Sequence, residues 1–330
     1  MLTDIWLIAQ LLLQICSLFL LSYACVYATI IVRKWRVDEV DETQLLLERQ
    51  SYLVGTLAQV VLFFQLLGLI FFVFTTNSHL PTLIKGAMCA AGVLEANEFG
   101  IPLLYLKISS IFIYSTFLIY QYLDNLEPAY PLTPKKYFWL FPSFALLLAD
   151  FFLQISFYYH INPDKIVACC SLSFVGESVK ANLFIENQQL TYITLTIWII
   201  LFIVMQFLRY LKNLIANISV EICVGICYIG FSIWTLQHFF VKYIYGIPTH
   251  ACLHDLFLGH YYGIGFLLFS IYYGIAILLI FKFVLQKQQK NLIYGNYQDK
   301  IKFVNNLIMV FLWLSLVIPC WFWFKWSGNM

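Results

Sequence analysis

The stretch Pro248-Thr249-His250-Ala251-Cys252-Leu253-His254-Asp255, followed by Gly259-His260-Tyr261-Tyr262-Gly263, concentrates side chains able to do chemistry. Three of the chain's six histidines fall within these few residues, with a cysteine between two of them. Thiolate and imidazole are donors for Zn²⁺ and Cu(I), and thioether adds to them for Cu(I). In an extended segment His250, Cys252 and His254 face the same way; in a helix His250 and His254 share a face without Cys252. Two further polar connectors carry soft donors, Met88-Cys89 and Cys169-Cys170. The candidate metal ligands are therefore Met88, Cys89, His250, Cys252 and His254, with copper as the leading ion.

Cys89, Cys169, Cys170 and Cys252 admit two other readings. They can be structural disulfides, with Cys169 and Cys170 each reaching a different loop because a bond between neighbours closes a small, strained ring. They can instead be catalytic: a thiolate attacks a disulfide and electrons pass to a membrane carrier such as a quinone. That logic resembles DsbB-like and vitamin-K-epoxide-reductase-like enzymes, which use paired cysteines at the outer face of a helical bundle. The C-x-x-C pair of those families does not occur here. The resemblance covers no definable stretch. Haem is a further option. His160, His238 and His260 lie near one membrane surface, and two axial histidines hold a b-type haem. The c-type attachment motif C-x-x-C-H is absent.

The elements that must position these residues are read from hydropathy. Sixty-two per cent of the 330 residues are hydrophobic and 11% are charged, against about 25% charged in a soluble domain. Apolar runs of membrane-spanning length recur at approximately 5–32, 52–75, 101–122, 137–159, 190–207, 218–243, 261–283 and 303–324. They predict an all-α, polytopic membrane bundle of about eight helices, forming one membrane domain over 1–330 with lipid as its main partner. The first run has no basic leader and is too long for a signal-peptide core, so it reads as a retained helix. No internal repeat of fixed period stands out. No basic block or nucleic-acid motif occurs, which excludes nucleic acid as a partner.

Basic residues set the orientation. The first, third, fifth and seventh connectors hold Arg33, Lys34, Arg36, Arg49, Lys135, Lys136, Arg209, Lys212, Lys282, Lys287, Lys290, Lys300 and Lys302, while the other side holds Lys85, Lys165, Lys180, Lys242 and Lys325. Both termini and the cysteine-bearing connectors then lie outside. In a bacterial inner membrane that side is oxidising; an organellar membrane is the other placement.

Two charges fall inside the runs. A charge at mid-membrane costs at least about 2.5 kcal/mol, so Asp150 must be protonated, paired or wet. Lys107 is its expected partner, with the two depths differing by roughly 6 Å at 1.5 Å per residue. The pair is either structural or part of a proton or cation relay. Glu221 is expected to reach the interface, and Cys16, Cys25, Cys223 and Cys227 to be buried apolar fillers. Gln10, Gln14, Gln59, Gln65 and Gln154 need hydrogen bonds in lipid and should face other helices. The leading functional expectation is extracytoplasmic cysteine chemistry, either a thiol–disulfide relay to a membrane carrier or soft-metal handling. A transporter using Asp150 and Lys107 is a second. A non-catalytic subunit of a larger, respiratory-type complex, with membrane or extracytoplasmic protein partners, is a third.

Overall fold

The computed structural model describes residues 4–36, 41–87, 89–127, 129–164, 167, 188–210, 218–245, 252–288 and 297–327. Helices dominate, and no strand occurs among the described residues. The long helices are α1 (Ile5–Lys34), α2 (Glu42–Phe74), α4 (Gly100–Asp124), α5 (Thr133–Tyr159), α6 (Gln188–Tyr210), α7 (Ile218–Thr235), α9 (Ile264–Gln288) and α10 (Tyr297–Ser327). A five-residue helix, α3 (Ala90–Leu94), sits in a connector, and another, α8 (Val241–Tyr245), continues α7 beyond a π turn. Among the described residues, seven helices are long and apolar enough to cross a membrane, and α6 carries a shorter apolar stretch, Tyr192–Leu208.

The helices invert the polarity of a soluble bundle. On α1, Gln10, Gln14 and Ser17 are buried while Leu12, Phe19 and Val26 are exposed. On α2, Gln65 is buried as expected, but Gln59 is exposed rather than turned to another helix. Inward polar groups bonding across helices and an apolar outer face are what a bilayer environment selects. Asp4 caps α1 by accepting from the Trp6 and Leu7 N–H groups, and Arg33 and Lys34 in the last turn oppose the helix dipole. The expected start of the second span moves from 52 to Glu42. Asp41 caps this helix, and Leu47 and Ser51 turn inward while the charges face out, so the mixed-charge connector is an amphipathic first section of the helix. The expected span 218–243 is interrupted. After α7 comes a π-helical turn, Leu236–Phe240, and then α8. A matching π turn, Thr75–His79, follows α2.

Two groups of four helices result. In the first, α1 packs on α2, α2 on α4, α4 on α5, and α5 back on α1; in the second, α6, α7, α9 and α10 repeat the same ring of neighbours. In both groups a glycine lets the second and third helices close. A Cβ on Gly55 would lie 2.8 Å from Gln121 Oε1, and one on Gly225 would lie 2.4 Å from Leu279 Cδ1. The groups meet through α4 against α9.

Three connectors and the N-terminal end of α1 gather at one end of the bundle. His79 Nε2 lies 2.7 Å from Asp4 Oδ2. Lys85 reaches the connector after α5, where its Nζ is 2.7 Å from Asp164 Oδ1 and its carbonyl accepts from Val167 N–H at 3.1 Å. At the opposite end Lys136 and Asp124 form a buried pair at 2.7 Å, and Asp124 also accepts from Leu132 N–H and Thr133 Oγ1, locking the α4–α5 turn. Glu221, in the first turn of α7, is buried and paired with Lys282 across α7 and α9. Cys16, Cys223 and Cys227 are exposed on helix surfaces rather than buried fillers, and only Cys25 of that set is buried.

Candidate metal centre

Cys89 and Cys252 meet from two different connectors. Each has an extended backbone and occupies the N-cap position of a five-residue helical turn: α3 after Cys89 and the 3-10 turn Leu253–Phe257 after Cys252. The two turns touch. The Cys89 and Cys252 sulfurs are 3.7 Å apart, and both residues are buried. Those two sulfurs and a carboxylate oxygen of Asp255 all lie within 4.8 Å of one another. Two thiolates on a tetrahedral ion with bonds of about 2.3 Å stand roughly 3.8 Å apart, so the observed separation suits a shared ion without rearrangement.

Neighbouring groups hold the site. Asn77, in the π turn after α2, accepts from Ala90 N–H at 3.0 Å and so fixes the backbone beside Cys89. Tyr245, the last residue of α8, donates to the Cys252 carbonyl at 2.6 Å, and its ring lies 4.3 Å from that of Tyr261. Burial, with the Asp255 carboxylate nearby, pushes both the Tyr245 and the Tyr261 hydroxyls above the usual phenol range. Both therefore stay protonated at neutral pH.

The other candidate residues distribute as follows. Met88, Cys169, Cys170 and His250 lie outside the described residues. His254 sits half-buried in the turn that Cys252 caps. The three histidines considered for haem occupy three different elements. His160 ends α5, where its Nδ1 donates to the Ser156 carbonyl at 2.8 Å; His238 lies in the second π turn with its ring 4.5 Å from Trp234; His260 is exposed in the turn Gly259–Tyr261. Asp255 was present in the sequence stretch without a role, although Cys252-x-x-Asp255 spans one helical turn and brings the two side chains together. The Asp4–His79 contact had no sequence signal, because only the fold brings those positions together.

The intramembrane pair is formed. Lys107 Nζ lies 2.8 Å from Asp150 Oδ2 and 2.8 Å from Gln154 Oε1. Gln14 donates to the same carboxylate oxygen at 2.6 Å and to Gln154 Oε1 at 3.1 Å. Gln154 passes the network on to Gln10 and Tyr158, and Gln10 donates to Thr75 Oγ1 at 2.8 Å, at the first residue of the π turn after α2. Asp150, Gln154 and Tyr158 recur every fourth residue, so they form one stripe on α5. Comparison with protein families, with curated proteins and with solved structures finds no match to this chain.

Proposed function

We propose that the chain is a multi-pass protein of about eight spans, in a bacterial inner membrane or an organellar membrane. Both termini and the cysteine-bearing connectors face the extracytoplasmic side. There it binds one thiophilic d10 ion, Cu(I) or Zn²⁺, between Cys89, Cys252 and Asp255. The observation that carries this reading is the contact of the two sulfurs, from connectors 163 residues apart in sequence, with a carboxylate beside them. Thiolate suits both ions, and a carboxylate ligand suits Zn²⁺. Met88 and His250, neighbours in sequence of Cys89 and Cys252, are the donors that would complete four-coordination.

The test is metal analysis of protein purified under nitrogen, beside the Cys89→Ser, Cys252→Ser and Asp255→Asn variants. The expected result is about one copper or zinc per chain, lost in either serine variant and held less tightly in Asp255→Asn. Absence of metal from wild-type protein after incubation with either ion overturns the reading.

The sulfur contact also supports a second reading, reversible thiol–disulfide exchange. Cys89 and Cys252 would lose two protons and two electrons as the S–S bond forms, and a quinone would take up both to become the quinol. Reduction of a quinone analogue by the dithiol form, and its loss in Cys89→Ser, separates this reading from the first.

A further inference from the structure

The two four-helix groups share more than their ring of neighbours. Cys89-x9-Phe99-Gly100-Ile101 is matched by Cys252-x9-Tyr262-Gly263-Ile264, each entering the third helix of its group. Like touches like across the junction: Cys89 meets Cys252, the turn after one meets the turn after the other, and α4 meets α9. Such self-matching contacts are what a two-fold relation between equivalent units produces.

The second group then serves as an internal control for the first. At the offset that lays Cys89 on Cys252, Lys107 falls on Ser270 and Asp150 on Trp313. The second group carries its own buried ion pair elsewhere, Glu221–Lys282 between α7 and α9, beside the neutral contacts Trp198 to Ser232 and Tyr228 to Ser315. At the matched positions, however, Ser270 and Trp313 are uncharged, and an ion pair in an apolar interior is costly. The Lys107–Asp150 cluster is thus peculiar to the first group, and two of its buried oxygens, Asp150 Oδ1 and Gln14 Oε1, have no hydrogen-bond partner among the described residues.

We propose that these oxygens form an intramembrane site for a small monovalent cation such as Na⁺, for which Lys107 and the cation compete. A cation entering an apolar pocket must be balanced, because an uncompensated charge there is expensive. Lys107 supplies the balance. The cation takes the Asp150 carboxylate, the Lys107 ammonium gives up one proton to solvent, and the net charge of the pocket is unchanged. The groups facing Asp150 allow no other exchange. From α4 come Lys107 and Tyr114, the latter within electrostatic reach of the carboxylate. From α1 come neutral Gln10 and Gln14, from α5 itself Gln154 and Tyr158, and from α2 the Phe72 ring, 5.1 Å from Lys107 Nζ. Hard oxygen donors favour an alkali cation here over the thiophilic ion of the outer site.

The experiment is addition of NaCl to weakly buffered, purified full-length protein, with choline chloride as the ionic-strength control. A pH dye and thermal unfolding are followed together. Sodium is expected to release about one proton per chain and to raise the melting temperature. Both responses should vanish in Asp150→Asn and persist in Cys89→Ser, which separates this site from the outer metal centre. A wild-type protein that responds equally to sodium and choline, or an Asp150→Asn protein that responds as wild type does, overturns the proposal and leaves the cluster a structural network.

Discussion

At the scale of single residues, the cost of leaving a buried group without its partner decides most outcomes. Lys107→Met strands the Asp150 carboxylate and is expected to destabilise by about 3–5 kcal/mol, whereas Lys107→Met with Asp150→Leu should recover most of that loss. Unfolding of the two variants in detergent measures the difference. Recovery would agree with the second group, whose matched positions are uncharged. At the surface, Asp4 is the residue to titrate. Burial tends to raise its pKa, but bonds from His79 and the Trp6 N–H outweigh it and hold the carboxyl below its ordinary value of 3.8. A depressed folded-state pKa means that the stabilisation is complete above the ordinary value and is lost as the pH falls through the folded one. Protection of the amides in the first turn of α1, taken relative to their intrinsic exchange rates, should therefore fall below about pH 4, and Asp4→Ala should lack that protection at every pH. The cysteines themselves were readable as candidates from residue type and connector position. Their pairing was not, because 163 residues separate Cys89 from Cys252 and only the fold closes that distance.

At the scale of elements, the two π turns are the features that hydropathy could not foretell. An apolar run fixes that a helix exists and roughly how long it is, but a switch in hydrogen-bond register leaves no hydropathy signature. The turn Thr75–His79 bonds in three directions: Thr75 to Gln10 of the buried network, Asn77 to the backbone beside Cys89, and His79 to Asp4. Such turns collect at functional positions. Asn77→Ala removes only the support of the Cys89 loop and is expected to weaken metal binding by about 10-fold to 100-fold, the usual effect of losing an outer-shell bond. Competition with a metallochromic chelator measures this, and unchanged affinity would show that the turn does not position the thiol. Gly100 is a second constraint on the same connector. A Cβ there would meet the Leu94 carbonyl oxygen at 2.2 Å and the Phe157 ring at 2.8 Å. Gly100→Ala should therefore push α3 away from α5 and lower the melting temperature, an overpacking effect of about 1–3 kcal/mol.

At the scale of the whole molecule, the two groups bring one cysteine each to a shared junction, so neither group alone holds the site. This relation was not legible as a sequence repeat. A helix face turned to lipid needs only to be apolar, so the two copies can diverge freely there and keep likeness at a few fixed points such as the Cys-x9-aromatic-Gly-Ile segments. Hydropathy did convey the membrane-like composition and most helix boundaries, since those depend on average polarity. The Lys107–Asp150 pair and the thiols at the junction are where the chain departs from a plain apolar scaffold, and function is expected where local rules are broken. The most direct test of the account is differential alkylation of native protein purified under nitrogen, with the modified cysteines identified by mass spectrometry before and after a strong chelator. The account predicts that Cys89 and Cys252 resist alkylation together, react together once the chelator has removed about one metal ion per chain, and are protected again when that ion is restored. If instead the two react with no regard to chelator or added metal, the shared metal centre is contradicted.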